Sequence, residues 1–168
     1  QRENAESQGA DELELVTRAD LNDKQKLIFD LVTSAIERDE QIVSFLMGYG
    51  GTGKSHTIKA LWHALGKSER VILSATTGKA AYQICGRTLH SVLRLPVGRR
   101  GNQQLSNAVI QQLQHDYQLD QKALLIIDEC SMIGRRQMAW IDRRLRQVMP
   151  DGANKPFGGL SILFVGDY

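Results

Sequence analysis

At 168 residues the chain is long enough for one ordinary domain that buries roughly two thirds of its unfolded surface, and a single α/β core suffices. The net charge of +2 conceals an asymmetry: residues 1–20 hold six acids and two bases, the remainder thirteen acids and nineteen bases, so the folded part is modestly basic. Cys85 and Cys130 are isolated and lack metal-type spacing, and no apolar run approaches 18 residues, which argues against a disulfide scaffold or a membrane span and fits a reduced intracellular compartment.

Residues 1–20 are polar and acidic with little periodicity, and read as a flexible or loosely docked lead-in. A helix is expected from Asn22, whose side chain and Gln25 form a capping-box pair, with Leu27, Ile28, Leu31, Val32, Ala35 and Ile36 as its buried stripe. Ile42–Met47 is an apolar, β-rich run that reads as a buried strand, and Lys54–Leu65 as a helix with Ile58, Leu61 and Leu65 on one face. Val71–Ala75 is a second strand and Gly78–Cys85 a short helix; Thr88–Leu95 continues as helix or turn until Pro96. Residues 96–102 form a loop, and Leu105, Val109, Ile110 and Leu113 indicate another helix. Ala123–Ile127 is a continuous apolar strand of the kind buried on both faces of a parallel sheet. Ile133–Val148 is an amphipathic helix with Met138, Ile141, Leu145 and Val148 inward and arginines outward, and Leu160–Val165 is the last strand. Strands alternating with helices predict right-handed βαβ units, and therefore a parallel sheet flanked by helices with ligands at the carboxyl ends of the strands. The chain begins at Gln1 and stops at Tyr168 directly after an apolar strand, so it reads as part of something longer.

The segment Gly48-Tyr49-Gly50-Gly51-Thr52-Gly53-Lys54-Ser55 fits G-x-x-x-x-G-K-[ST] at every position, and it lies between a strand and a helix as a phosphate-binding loop must. Gly48, Gly50, Gly51 and Gly53 let the backbone approach phosphates, and the amides of the loop, including Thr52, face the anion at a helix amino end. Lys54 would reach the β and γ phosphates of ATP and the Ser55 hydroxyl would take a place on Mg²⁺, with Thr57 counted in the nucleotide-facing set. Asp128-Glu129, at the end of the apolar strand, supplies the companion: Asp128 to hold the metal through its water shell, Glu129 to orient and deprotonate water. A small-molecule kinase would need no such glutamate, so the pair favours an NTPase.

In order along the chain, these and other segments resemble the petite-integration-frequency family of superfamily 1 DNA helicases, with RecD helicases as relatives. Leu21-Asn22-Asp23-Lys24-Gln25 is similar to the family's adenine-reading Q motif, Gly48–Ser55 to motif I, Ala75-Thr76-Thr77-Gly78-Lys79-Ala80-Ala81 to motif Ia, and Gly86-Arg87-Thr88-Leu89-His90-Ser91 to its DNA-touching Thr-Leu-His-Ser segment. Asp128-Glu129-Cys130-Ser131-Met132 resembles motif II with its Ser-Met extension, with Cys130 in place of an aliphatic residue. Phe157-Gly158-Gly159 and Val165-Gly166-Asp167-Tyr168 resemble the approach to motif III.

The resemblance covers residues 21–168 and implies a RecA-like P-loop NTPase domain, the first motor domain of an ATP-dependent DNA helicase of 5′ to 3′ polarity. It implies a second RecA-like domain, arginine fingers and a γ-phosphate-sensing Gln-Leu-Pro-Pro stretch beyond Tyr168, so hydrolysis by residues 1–168 alone is expected to be slow. A helicase-like ATPase that remodels nucleoprotein complexes without unwinding is the alternative. Single-stranded DNA is the implied partner, met by Thr76, Thr77, Gly78 and Lys79 and then by Thr88, His90 and Ser91 through its backbone. By spacing alone Thr76 and Thr77 could instead be an N-cap pair, His90 a core histidine, and Gln25 only half of a capping box. Arg99 and Arg100 in the loop could meet DNA or water, while Arg135, Arg136, Arg143, Arg144 and Arg146 read as a charged helix face.

Overall fold

A computed structural model of the chain describes residues 13–97 and 104–168, so Arg99, Arg100 and most of the expected loop lie outside the described residues. Five parallel strands form one sheet: β1 (Val43–Met47), β2 (Val71–Ala75), β3 (Arg87–Thr88), β4 (Leu124–Asp128) and β5 (Ser161–Gly166), in the spatial order β1-β5-β4-β2-β3. Leu124, Leu125, Ile126 and Ile127 are completely buried, as an uninterrupted apolar run requires when helices cover both faces. Each such side chain contributes roughly 1.5–3 kcal/mol by leaving water.

On one face α1 (Asp23–Glu37), α2 (Lys54–Ala64) and α3 (Gly78–Gln83) enclose a core containing Phe29, Val32, Ile58, Leu61, Leu73, Ile126 and Val165. On the other, α4 (Leu89–Leu93), α5 (Asn107–Tyr117) and α6 (Arg135–Val148) pack Leu93, Leu113, Ile141 and Leu145 over Leu125, Ile127 and Phe164. No helix among the described residues is long and apolar enough to cross a membrane.

Several expectations need correction. Within α1, Leu27 and Leu31 are 73% and 50% exposed, whereas Phe29, Val32 and Ala35 are buried. The helix is apolar on two sides, and its packing against α2 selects the side carrying Phe29. β1 occupies a margin of the described sheet rather than its interior, leaving Val43 40% and Phe45 56% exposed, with Phe45 stacked on Phe164 at a centroid distance of 4.8 Å. Arg144 is not on the outer face of α6: it is buried and donates to the Arg94 carbonyl at 3.3 Å and to Gln147 Oε1 at 3.2 Å. Arg146 grips Asp142, both of whose carboxylate oxygens lie 2.9 Å from Nε.

The lead-in is docked where it is described. Leu13, Val16 and Leu21 belong to the core beside α2, Arg18 binds the two oxygens of Asp30 at 2.7 Å each, and Lys59 meets Glu14 at 3.0 Å. Leu13 and Val16 within the acidic lead-in, and Leu21 just after it, bury apolar surface against the helices. The two-residue β3, unforeseen in the sequence, depends on Gly86, where a Cβ would fall 2.5 Å from the Leu73 carbonyl oxygen.

Candidate functional site

β1 ends at Met47, the loop turns through residues 48–53, and α2 begins at Lys54. The turn needs left-handed backbone at Gly51 (φ 77°) and at Gly53 (φ 81°), the N-cap of α2, which glycine adopts without a Cβ penalty. Thr52 Oγ1 donates to the Tyr49 carbonyl at 2.8 Å and closes the loop on itself. Gly50 lies on the side of the loop that faces Asp167, whose Oδ2 would be 3.9 Å from a Cβ there. Ser55 is exposed on the first turn of α2, while the hydroxyl of Thr57 is buried without a hydrogen-bond partner, and Thr57 is among the residues around a cavity of about 520 Å³ beside the loop.

Lys54 Nζ is the centre of the site. It donates to the carbonyls of Gly48 and Tyr49 at 2.9 Å each and lies 2.6 Å from Asp167 Oδ1, although the ammonium is mostly shielded from water. Two strand ends thus meet at one amine, β1 through the loop carbonyls and β5 through Asp167, while at the tip of β4 the Lys54 charge is felt by the Asp128 carboxylate. Asp167 was placed on the correct edge of the sheet by its position after a strand, but its pairing with Lys54 had no local signature in sequence; β1 and β5 are 119 residues apart where Val43 pairs with Ile162 and come side by side only in the sheet.

At the tip of β4, burial pushes the Asp128 carboxyl above the ordinary aspartate range, and the charges of Glu129 and Asp167 push the same way; the Glu129 amide, donating to Asp128 Oδ1 at 2.9 Å, and Lys54 oppose them. Glu129 holds left-handed backbone (φ 57°, ψ 39°), which swings its exposed side chain away from the strand. Non-glycine residues rarely adopt this region, and here it is held from two sides: Thr76 N donates to the Asp128 carbonyl at 3.3 Å and Thr76 Oγ1 to the Glu129 carbonyl at 3.1 Å. Cys130 packs in the core with its Sγ 3.7 Å from Met47 Sδ, and burial pushes its thiol up, consistent with packing rather than chemistry.

Ser55 and Asp128 are an all-oxygen pair of the kind magnesium accepts when phosphates and water complete its shell; among the described residues no cluster of three or more His, Cys, Asp or Glu side chains could hold a metal without such help. The donor set therefore suits a cation that arrives with a nucleotide.

Gln25 forms the capping box and also reaches the glycine-rich loop. It accepts from the Asn22 amide at 2.9 Å while its own amide donates to Asn22 Oδ1 at 3.0 Å, and its Nε2 donates to the carbonyls of Gly53 at 3.0 Å and Thr52 at 3.3 Å. It thereby buttresses the phosphate loop and also borders the cavity that Tyr49 and Tyr168 share.

The second set lies along the same carboxyl edge. Thr77 caps α3, accepting from the Ala80 amide at 3.2 Å, with Gly78 and exposed Lys79 opening the helix. Thr76 is not its partner in a cap, being turned toward Glu129. Thr88 caps α4 by accepting from the Ser91 amide at 3.3 Å and shares a hydroxyl contact of 2.8 Å with Ser91. His90 is half-buried beside a surface cavity rather than enclosed in the core.

Comparison with known proteins agrees with this arrangement. The family model described as PIF1-like helicase matches residues 20–168. ATP-dependent DNA helicase PIF1 of Saccharomyces cerevisiae is 32% identical over 128 residues, covering 74% of this chain and 15% of that protein; Pif1 of a Psychrobacter species is 32% identical over 126 residues, covering 74% and 19%. Among solved structures, Bacteroides Pif1 bound to ssDNA has a TM-score of 0.68 at 32% identity, and Pif1 from Bacteroides in complex with ADP-AlF3 and ssDNA has 0.66 at 32%; each alignment covers 88% of this chain and 32% of the other. The chain thus spans under a fifth of these curated relatives and about a third of the solved chains. With the family's ordered segments folded onto a single edge of a RecA-like sheet and its model matched from residue 20 to residue 168, the chain belongs to the PIF1-like helicase family.

Proposed function

We propose that this chain is the first motor domain of an ATP-dependent DNA helicase, binding ATP with Mg²⁺ and single-stranded DNA. In the full-length protein it works against a second RecA-like domain and moves 5′ to 3′ along the strand, in an intracellular compartment. The observation that carries the reading is the meeting at Lys54 of the glycine-rich loop and Asp167, on the same sheet edge as the Asp128-Glu129 tip of β4. Polarity and the second domain rest on family membership. The relative captured with ADP-AlF3 and ssDNA supports both ligands.

The chemistry follows from the residues. Phosphates meet the loop amides and draw Lys54 from Asp167, replacing one anion by another. Ser55 and Asp128 would hold magnesium, which would supply positive charge to offset the charge that develops on phosphoryl transfer. Glu129 stands beside this centre to orient the attacking water and take its proton. The oxygen of that water bonds to the γ-phosphorus as the bond to the ADP oxygen breaks. Closing of the two domains on ATP and reopening after hydrolysis would move DNA held along Thr76, Thr77, Gly78, Lys79, Thr88, His90 and Ser91.

ATPase and strand-displacement assays on the full-length protein test this. Hydrolysis stimulated by single-stranded DNA together with strand separation is expected. Hydrolysis indifferent to DNA would overturn the reading, and stimulation without separation would identify a remodelling ATPase instead.

A further inference from the structure

Away from the nucleotide, a second cavity of about 390 Å³ opens between α4 and the amino-terminal half of α6, within the roughly 300–1,000 Å³ range of small-ligand sites. Leu95, Pro96 and the half-buried Trp140 give it apolar and aromatic walls, and His90, Gln137 and Arg136 supply polar groups. No acidic side chain lines it. Trp140 is held in place by the buried Arg144, whose guanidinium lies 5.0 Å from the indole centroid, and by Arg143 at 5.5 Å. Neither arginine is among the residues that line the cavity, whereas Trp140 is.

Such a set matches a flat ring with a polar edge and an anionic tether. The tether has a defined route, because His90 lies on α4 between Thr88 and Ser91, the two hydroxyls of the proposed strand path. The surroundings are positive: α6 carries five arginines, and its one acid, Asp142, is already bound by Arg146. We infer that this cavity receives one unstacked base of a single-stranded nucleic acid, with Trp140 as the stacking wall and His90, Gln137 and Arg136 toward the base edge and the adjoining phosphate. The inference rests on the proposed DNA-binding reading and adds to it a base contact on a path otherwise made of backbone contacts. Stacking tolerates any base, so grip would improve without sequence preference.

The test is binding of a fluorescein-labelled oligo-dT to the 168-residue chain, read by anisotropy over a range of salt concentrations. Trp140→Ala is expected to weaken binding about tenfold, the scale of a single base-stacking contact, with the slope against salt unchanged because no phosphate contact is lost. Trp140→Phe should recover most of the loss, which separates stacking from misfolding. An abasic oligonucleotide should bind the unaltered chain and Trp140→Ala equally. Titration of the unaltered chain should also quench Trp140 fluorescence, against a background from Trp62, which lies in the core. Full affinity in Trp140→Ala alongside weakened binding in Lys79→Ala would overturn the base site and leave the strand path standing. Failure of the unaltered chain to bind any single strand would overturn both.

Discussion

The hydroxyl of Thr76 donates to the main-chain carbonyl of Glu129 at 3.1 Å, joining a residue of the proposed DNA path to the proposed general base. A strand that shifts Thr76 would therefore shift the backbone turn that aims the Glu129 carboxylate. Thr76→Val should remove the bond, whose net worth is about 0.5–1.5 kcal/mol, and lower DNA-stimulated kcat several-fold with little change in KM for ATP. Thr76→Ser should retain activity. A variant that loses only DNA affinity and keeps kcat at saturating DNA would show that the hydroxyl serves the strand alone.

Lys54→Ala should abolish nucleotide binding by calorimetry, since the amine is the one cation that reaches both the loop carbonyls and Asp167 among the contacts described. Asp167→Asn is expected to act in the opposite direction for magnesium-free ADP. Freed of its carboxylate partner, Lys54 meets the phosphates without first giving up an ion pair, and affinity should rise several-fold at low salt. Unchanged or weaker ADP binding would mean that the pair does not compete with phosphate.

Glu129→Gln in the full-length protein should keep ATP affinity and lose turnover by at least about 10²-fold, the lower end of a general base's contribution. Retained turnover would require another base.

Leu21 is almost completely buried at the entry to α1, so Leu21→Ala should destabilise the domain by about 2–5 kcal/mol in denaturant unfolding. A loss under 1 kcal/mol would mean that the docked segment adds little to the fold.

Acid should release that same segment first. The Lys59 ammonium holds Glu14 below the usual carboxylate range, hydrogen bonds from Thr17 hold Asp20 there, and the Arg18 guanidinium holds Asp30. Each carboxyl has a lower pKa folded than unfolded, so its contribution is present above the unfolded values of 4.5 for Glu and 3.8 for Asp, and is lost as pH falls through the folded values. Hydrogen exchange at residues 13–21 should accelerate below about pH 4 before the strands respond. Simultaneous opening of β4 would contradict this order.

The proposed nucleotide site was legible because its parts are local. Lys54 and Ser55 sit within eight residues of Gly48, and Asp128-Glu129 follows an apolar run whose burial is written in its composition. What was hidden depends on distant pairing. Placement of β1 at the margin follows from its ladder with β5, and the approach of Asp167 to Lys54 follows from the same ladder. Of the stripe expected on α1, Ile28, Val32, Ala35 and Ile36 do pack, and only Leu27 and Leu31, which repeat with the same helical period, fall outside it. Arg144 looked like one solvated arginine among five until Trp140 and the Arg94 carbonyl gave it partners.

The ladder between β1 and β5 continues past the strands, where the Gly48 amide donates to the Gly166 carbonyl at 3.1 Å. The phosphate loop and Asp167 are therefore mounted on one two-strand ribbon, braced by β4 on one flank only among the described residues. Cradle and counter-ion thus keep their spacing through a single ladder, while Asp128 is tied to both only through the next one, between β5 and β4.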